Sequence, residues 1–238
     1  MLSHLLELRR RILLISVVFL SLFFLFFFLS SQLFRQVVAP VLKILPNAAP
    51  LIATNLTSPL FTPIKLAIDA AMLCTAPFAL LQIWYFVAPG LYQREQGNLR
   101  LAIVGSLLLF SAGVLFCYFV VLPFMVQFFV SAVPSGVQLM PDIVYVVDFI
   151  TRMLLLFGLS FQVPLLCFLL VQLNLTSIAT LKSLRPYVIV AAFIIGMLLT
   201  PPDVLSQIML AVPLCLLYEL GIVLAIFAAK NKLIAKAN

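Results

Sequence analysis

Residues 9–30 read RRRILLISVVFLSLFFLFFFLS: three arginines, then a run from Ile12 to Ser30 without a single charge. A helix that crosses a bilayer needs about 20 predominantly apolar residues, so this run is a span anchored by Arg9, Arg10 and Arg11. It exceeds the roughly 7–15 apolar residues of a cleavable signal, and no A-x-A-like site follows, so a retained anchor is expected. The whole chain repeats this character. Of its 238 residues 65% are hydrophobic and 9% charged, with a mean hydropathy of +1.28. Soluble domains run near 45–50% apolar and about 25% charged, so no water-facing surface can be built from this composition. The 22 Phe exclude disorder. The net charge of +7 does not indicate nucleic-acid binding, because the bases lie in short gaps between apolar runs and not on one polar face. Cys74, Cys117, Cys167 and Cys215 each sit in an apolar run without CxxC spacing and read as small buried hydrophobes.

Six spans are expected, at about 12–30, 66–88, 101–122, 153–173, 187–199 and 204–229. Pro123 is read as ending the third, which leaves 124–133 as an interfacial or partly buried segment too short to cross. The fifth is confined between Arg185-Pro186 and Thr200-Pro201-Pro202-Asp203. Its length is about 20 Å against a hydrocarbon core of roughly 30 Å. Spans five and six therefore read as a tight, short hairpin. The loop 31–65 holds Pro40, Pro46, Pro50, Pro59 and Pro63, a density that implies extended, rigid chain and a structured outer cap.

Basic residues set the orientation. Arg9, Arg10, Arg11, Arg94, Arg100, Lys182, Arg185, Lys230, Lys232 and Lys236 fall on one side of a six-span arrangement, and Arg35, Lys43, Lys65 and Arg152 on the other. Both termini are thus expected in the cytoplasm. Acids are scarce on that side, where only Glu7 and Glu95 occur. Asp69, Asp142, Asp148 and Asp203 lie outside, and Glu219 falls within span six.

No enzyme is legible. The one histidine, His4, is remote from any nucleophile, and GxSxG, HExxH and phosphate-cradling glycine loops are absent. No cofactor or metal is implied. Attention falls instead on charges at membrane edges. Glu7 and Arg11 are i,i+4 neighbours on one face of a leading helix, while Leu2, Leu5 and Leu6 share another. An interfacial helix with orienting arginines accounts for these residues without further function. Trp84, Tyr85 and Tyr92 fit an aromatic belt. Glu95, a carboxylate at a desolvated edge, is a natural acceptor for an arginine fork. Glu219 and Gln162 are polar groups at depth, readable either as walls of a hydrated concavity or as helix–helix hydrogen bonding.

Several words stand in order along the chain: His4-Leu5-Leu6-Glu7-Leu8-Arg9-Arg10-Arg11, Ser58-Pro59-Leu60-Phe61-Thr62-Pro63-Ile64-Lys65 and Leu91-Tyr92-Gln93-Arg94-Glu95. Arg185-Pro186-Tyr187 and Leu199-Thr200-Pro201-Pro202-Asp203-Val204-Leu205-Ser206-Gln207 follow. Together they resemble the TatC family, the multispanning receptor subunit of the twin-arginine (Sec-independent) protein translocase, over nearly the whole chain. The resemblance implies an all-α integral membrane protein of six helices in a curved, concave bundle in the bacterial inner membrane. It implies binding of twin-arginine signal peptides, and export of folded proteins with the single-span TatA and TatB subunits and the proton-motive force. Self-association in the receptor complex is implied as well. By the same resemblance Glu95 faces the arginine pair, Glu7 and Arg9 form an N-terminal recognition element, and Phe86 is the aromatic near that loop. Pro40 matches a sensitive position of the first outer loop, and Asp203 the acid of the last outer turn. The sequence departs from many family members at Gln162, where they carry glutamate, so a hydrogen-bonding role is expected there, with Glu219 supplying the intramembrane acid. A small secondary transporter with a midplane site at Glu219 and Gln162 is the competing reading, although no internal repeat supports it. A purely structural membrane scaffold, which would tolerate loss of Glu95, is the third.

Overall fold

A computed structural model describes residues 2–45, 51–87, 96–134, 137, 139–173, 175–199 and 204–237. Among these the chain is almost entirely helical, and its only β pairing is an isolated bridge between Ile52 and Asp142. The helices are α1 (Leu2–Phe28), α2 (Ser30–Leu42), α3 (Ser58–Val87), α4 (Gln96–Phe116) and α5 (Leu122–Ser131). They continue with α6 (Ile143–Ser160), α7 (Val163–Gln172), α8 (Ile178–Ser183), α9 (Arg185–Leu199) and α10 (Val204–Ala237). Five stretches are long and apolar enough to cross a membrane, namely Leu6–Phe28, Ser58–Tyr85, Ile103–Ser131, Ile143–Gln172 and Gln207–Phe227. The shorter apolar helix α9 makes the sixth.

The spans are longer than the charges suggested. Pro123 does not end the third, because the helix passes through it by widening into one π-helical turn, Cys117–Val121. Proline has no N–H for the carbonyl four residues back and its ring crowds that carbonyl, so one extra residue in the turn relieves both defects. The stretch 124–133 is therefore mostly the continuing helix α5, with Met125 and Val126 buried, and not a separate interfacial segment. Spans two and four likewise begin before 66 and 153, at Ser58 and Ile143, and so take in Lys65, Asp148 and Arg152. Lys65 Nζ and Arg152 Nη2 each lie 2.8 Å from Asp148, and Thr151 Oγ1 donates to Asp69 at 2.7 Å. Paired charges no longer stop a helix at the apolar boundary.

The proline-rich segment 31–65 is also corrected. It holds helix α2 and the start of α3 rather than extended chain. Pro59 sits in the first turn of α3, where its missing N–H costs nothing. Pro40 lies inside α2 and deprives the Gln36 carbonyl of its helical donor. Tyr118, from the π turn, supplies the replacement: its hydroxyl donates to the Gln36 carbonyl at 2.7 Å.

Two compact units divide the contacts, residues 1–103 with 114–156, and residues 104–113 with 157–238. In the first, α1 and α2 pack on α3, and α2 on α5. Leu13, Val17, Leu20 and Phe24, spaced as one helical face, stay more than half exposed, as suits a helix facing lipid or a partner. In the second, α10 packs on α7 and α9, burying Cys167, Leu181, Tyr218, Ile222 and Ala225. Gly221 permits this approach, since a Cβ there would stand 3.0 Å from both Cys167 Cβ and Pro164 Cα. Of the four cysteines, Cys117 and Cys167 are buried as expected, whereas Cys74 is exposed on the apolar face of α3.

The hairpin expectation divides. Helix α9 has 15 residues, about 22 Å, and the apolar stretch of α10, Gln207–Phe227, has 21, the shortest of the five long stretches, although the helix itself runs to 34 residues. The alanine- and lysine-rich tail favours helix and carries α10 past its apolar window.

Candidate functional site

Arg11 organises the leading end of α1. Its Nε donates to Glu7 Oε1 at 3.2 Å and Nη2 reaches the same oxygen. Nη1 donates to Gln82 Oε1 at 3.0 Å, and Nη2 to the Tyr85 carbonyl at 3.2 Å, one of the last carbonyls of α3 and so without a helical partner. One guanidinium thus fastens the start of the chain to the end of α3, using the fork geometry that a lysine lacks. Glu7 Oε2 receives no donor among the described residues, and the side chain keeps 36% of its exposure. Glu7 is therefore held in place with one oxygen open.

The other expected recognition residues are disposed around this point. Arg9 is exposed and makes no described hydrogen bond or ion pair; two positions from Glu7, it points to roughly the opposite side of the helix. Phe86 follows Tyr85 in the last turn of α3. Glu95 and Asp203 lie outside the described residues. The pairing of Glu7 with Arg11 was legible at i,i+4 spacing, but the contribution of Gln82 was not, because nothing in sequence links positions so far apart.

The intramembrane polar residues are not brought together. Gln162 is 6% exposed and exchanges two hydrogen bonds with Ser106: Nε2 donates to the Ser106 carbonyl at 2.9 Å, and Ser106 Oγ donates to Oε1 at 2.7 Å. It sits where the long helix breaks between α6 and α7, just before Pro164. Glu219 instead pairs with Arg185 at 2.7 Å. Val204 to Glu219 is about 22 Å along α10, the length of α9, so this acid lies level with the start of α9. The hydroxyl of the neighbouring Tyr218 donates to the Leu181 carbonyl at 2.8 Å, tying α8 to the same level.

At the opposite end of the first unit, Asp142 does what composition alone did not reveal. Its Oδ1 accepts the Val144 N–H at 2.7 Å, capping α6. Its Oδ2 accepts the Thr54 N–H at 2.9 Å and the Thr54 hydroxyl. The Ile52 N–H donates to the Pro141 carbonyl and the Ile143 N–H to the Ile52 carbonyl, so residues 51–54 are sewn to the start of α6. The Thr54 hydroxyl and then its N–H hold the Asp142 carboxyl below the usual carboxylate range. An aspartate directly before an apolar run was the available signal. No group of three or more potential metal ligands occurs among the described residues.

Residues 3–213 match the family model described as Sec-independent protein translocase protein (TatC). The chain belongs to the TatC family. It is 43% identical over 227 residues to the TatC protein of Haemophilus influenzae, covering 95% of this chain and 89% of that one. It is 41% identical over 222 residues to TatC of Escherichia coli (strain K12), covering 93% and 86%. The crystal structure of the Twin Arginine Translocase Receptor TatC superposes with a TM-score of 0.87 at 34% identity, covering 95% of this chain and 99% of that one. The all-helical, multispan architecture is thus the TatC architecture, and the protein is a translocase component of the bacterial inner membrane. TatC proteins are transport components rather than enzymes, which agrees with a sequence that offers no catalytic constellation.

Proposed function

We propose that this TatC-family chain is the receptor subunit that reads the consecutive arginines of a signal peptide at the cytoplasmic face. The observation that carries the reading is Glu7, pinned beside the end of α3 by Arg11 with Oε2 open. One carboxylate that already holds a guanidinium is a poor seat for a second cation by itself. A second acid is needed, and Glu95, one residue before α4, has that role in the proposal. Each charge-assisted contact contributes about 1.5–3 kcal/mol, and two of them suit arginine forks better than lysine ammonium groups. Phe86, in the last turn of α3, and Arg9 have supporting roles in the proposal. Single-span TatA and TatB and further copies of this chain are the proposed partners in exporting folded proteins with the proton-motive force. The chain forms one polytopic domain with both termini cytoplasmic. A transporter site at Glu219 and Gln162 is not favoured, because each residue is satisfied by a separate partner.

Photo-crosslinking of a twin-arginine precursor to membranes containing the wild type, Glu7→Gln, Glu95→Ala or Glu95→Arg tests the site. Loss of crosslinking with the Glu95 variants and weakening with Glu7→Gln are expected. Undiminished crosslinking in all three would remove these residues from the site, and equal crosslinking of a twin-lysine precursor to the wild type would end the receptor reading.

A further inference from the structure

A cavity of about 310 Å³ opens where α1 turns into α2, in the first unit. Its walls are mainly apolar, from Phe34, Pro63, Leu66 and Ile143, and its rim carries Ser30, Ser31 and Arg35. The apolar run of the first span ends at Phe28, so this rim lies where hydrocarbon meets headgroups. Arg35 is exposed there and has no carboxylate or other described partner. The described acids are engaged elsewhere: Glu7 with Arg11, Asp148 with Lys65 and Arg152, Glu219 with Arg185, Asp142 with Thr54, and Asp69 with Thr151. The Thr62 hydroxyl on the same wall is spent on the Ser58 carbonyl at 2.6 Å. Two serine hydroxyls and a guanidinium with all its donors available therefore stand over an apolar slot.

That combination suits a phosphodiester with a hydrocarbon tail. A guanidinium fork matches two phosphate oxygens, serine hydroxyls supply further donors, and the apolar wall accepts the glycerol and first methylenes of an acyl chain. We propose that Ser30, Ser31 and Arg35 seat the headgroup of an anionic phospholipid, whose chain lies along Phe34 and Leu66. A net negative lipid is selected over a zwitterionic one because the site offers an unneutralised cation and no acid to receive a choline or ethanolamine ammonium.

Native mass spectrometry of the purified full chain in detergent tests this, with phosphatidylglycerol and phosphatidylcholine added separately at equal mole fraction. Phosphatidylglycerol should be retained about tenfold more strongly than phosphatidylcholine, the scale of one charge-assisted contact. Arg35→Gln should remove that preference, Arg35→Lys should keep part of it, and Lys43→Gln, at the far end of α2, should leave it intact. Size-exclusion profiles of the variants establish that each is folded. Retention unchanged in Arg35→Gln, or equal for the two lipids in the wild type, overturns the site. Inorganic phosphate that displaces phosphatidylglycerol at millimolar concentration would overturn the lipid assignment by making the site one for the free anion.

Discussion

Arg11 is the residue on which the proposed receptor edge depends. It meets Glu7, Gln82 and the Tyr85 carbonyl with a single planar group, and its side chain retains only 19% exposure. Arg11→Gln should free the end of α3 at a cost of about 1–3 kcal/mol. Hydrogen–deuterium exchange would show this as faster exchange in residues 80–87, with α10 unchanged; uniform exchange throughout would contradict it. Asp142 offers a pH-dependent counterpart. Its carboxyl is held below its unfolded value of about 3.9, so the stabilisation it gives is complete above that pH. It is lost as pH falls through the lower folded value. Thermal unfolding in detergent followed from pH 6 down to pH 3 should therefore show a late acid destabilisation. Asp142→Asn should diminish that acid step, because asparagine still caps a helix but does not titrate. Both residues were visible as charges in the sequence. Their partners, Gln82 and Thr54, were not, since an uncharged side chain gives no sign of the distant group it meets.

Helix α2 shows why the proline-rich segment misled the sequence reading. Proline density predicts extended chain only if the vacated carbonyls go unpaired, and here the Gln36 carbonyl is satisfied from the π turn by Tyr118. The π turn arises from Pro123, so one proline creates the turn from which the other's defect is repaired. Tyr118→Phe should destabilise by about 1–3 kcal/mol by leaving a carbonyl unpaired. Pro40→Ala restores the helical donor, so adding Tyr118→Phe to it should cost much less. A double-mutant cycle on chemical unfolding measures the difference, and additive effects would show that the tyrosine contributes only packing. Span positions, by contrast, were legible because a 20-residue apolar period is insensitive to distant contacts. Their ends were not, because Lys65, Asp148 and Arg152 read as lying outside the spans until their pairing is known.

For the whole molecule, the order of six apolar helices was readable from composition and charge spacing, and the TatC resemblance rested on words at the loops between them. The proposed orientation follows from ten bases on one side against four on the other. Reporter fusions after Asn238 and within 51–57 should accordingly be active on opposite sides of the membrane; activity on the same side would refute the six-span orientation. The level of Glu219 escaped the sequence reading, because hydropathy counts position along a helix and not which helix end stands beside it. Helix α9 carries one more consequence. At about 22 Å it falls some 8 Å short of an average hydrocarbon layer, and mismatch costs fractions of a kcal/mol per Å. Either the lipid annulus thins beside α9 or the Arg185–Glu219 pair, neutral as a unit, is drawn below the headgroups. Both responses make the protein sensitive to the acyl-chain length of its host membrane, with shorter lipids relieving the elastic strain and longer ones increasing it.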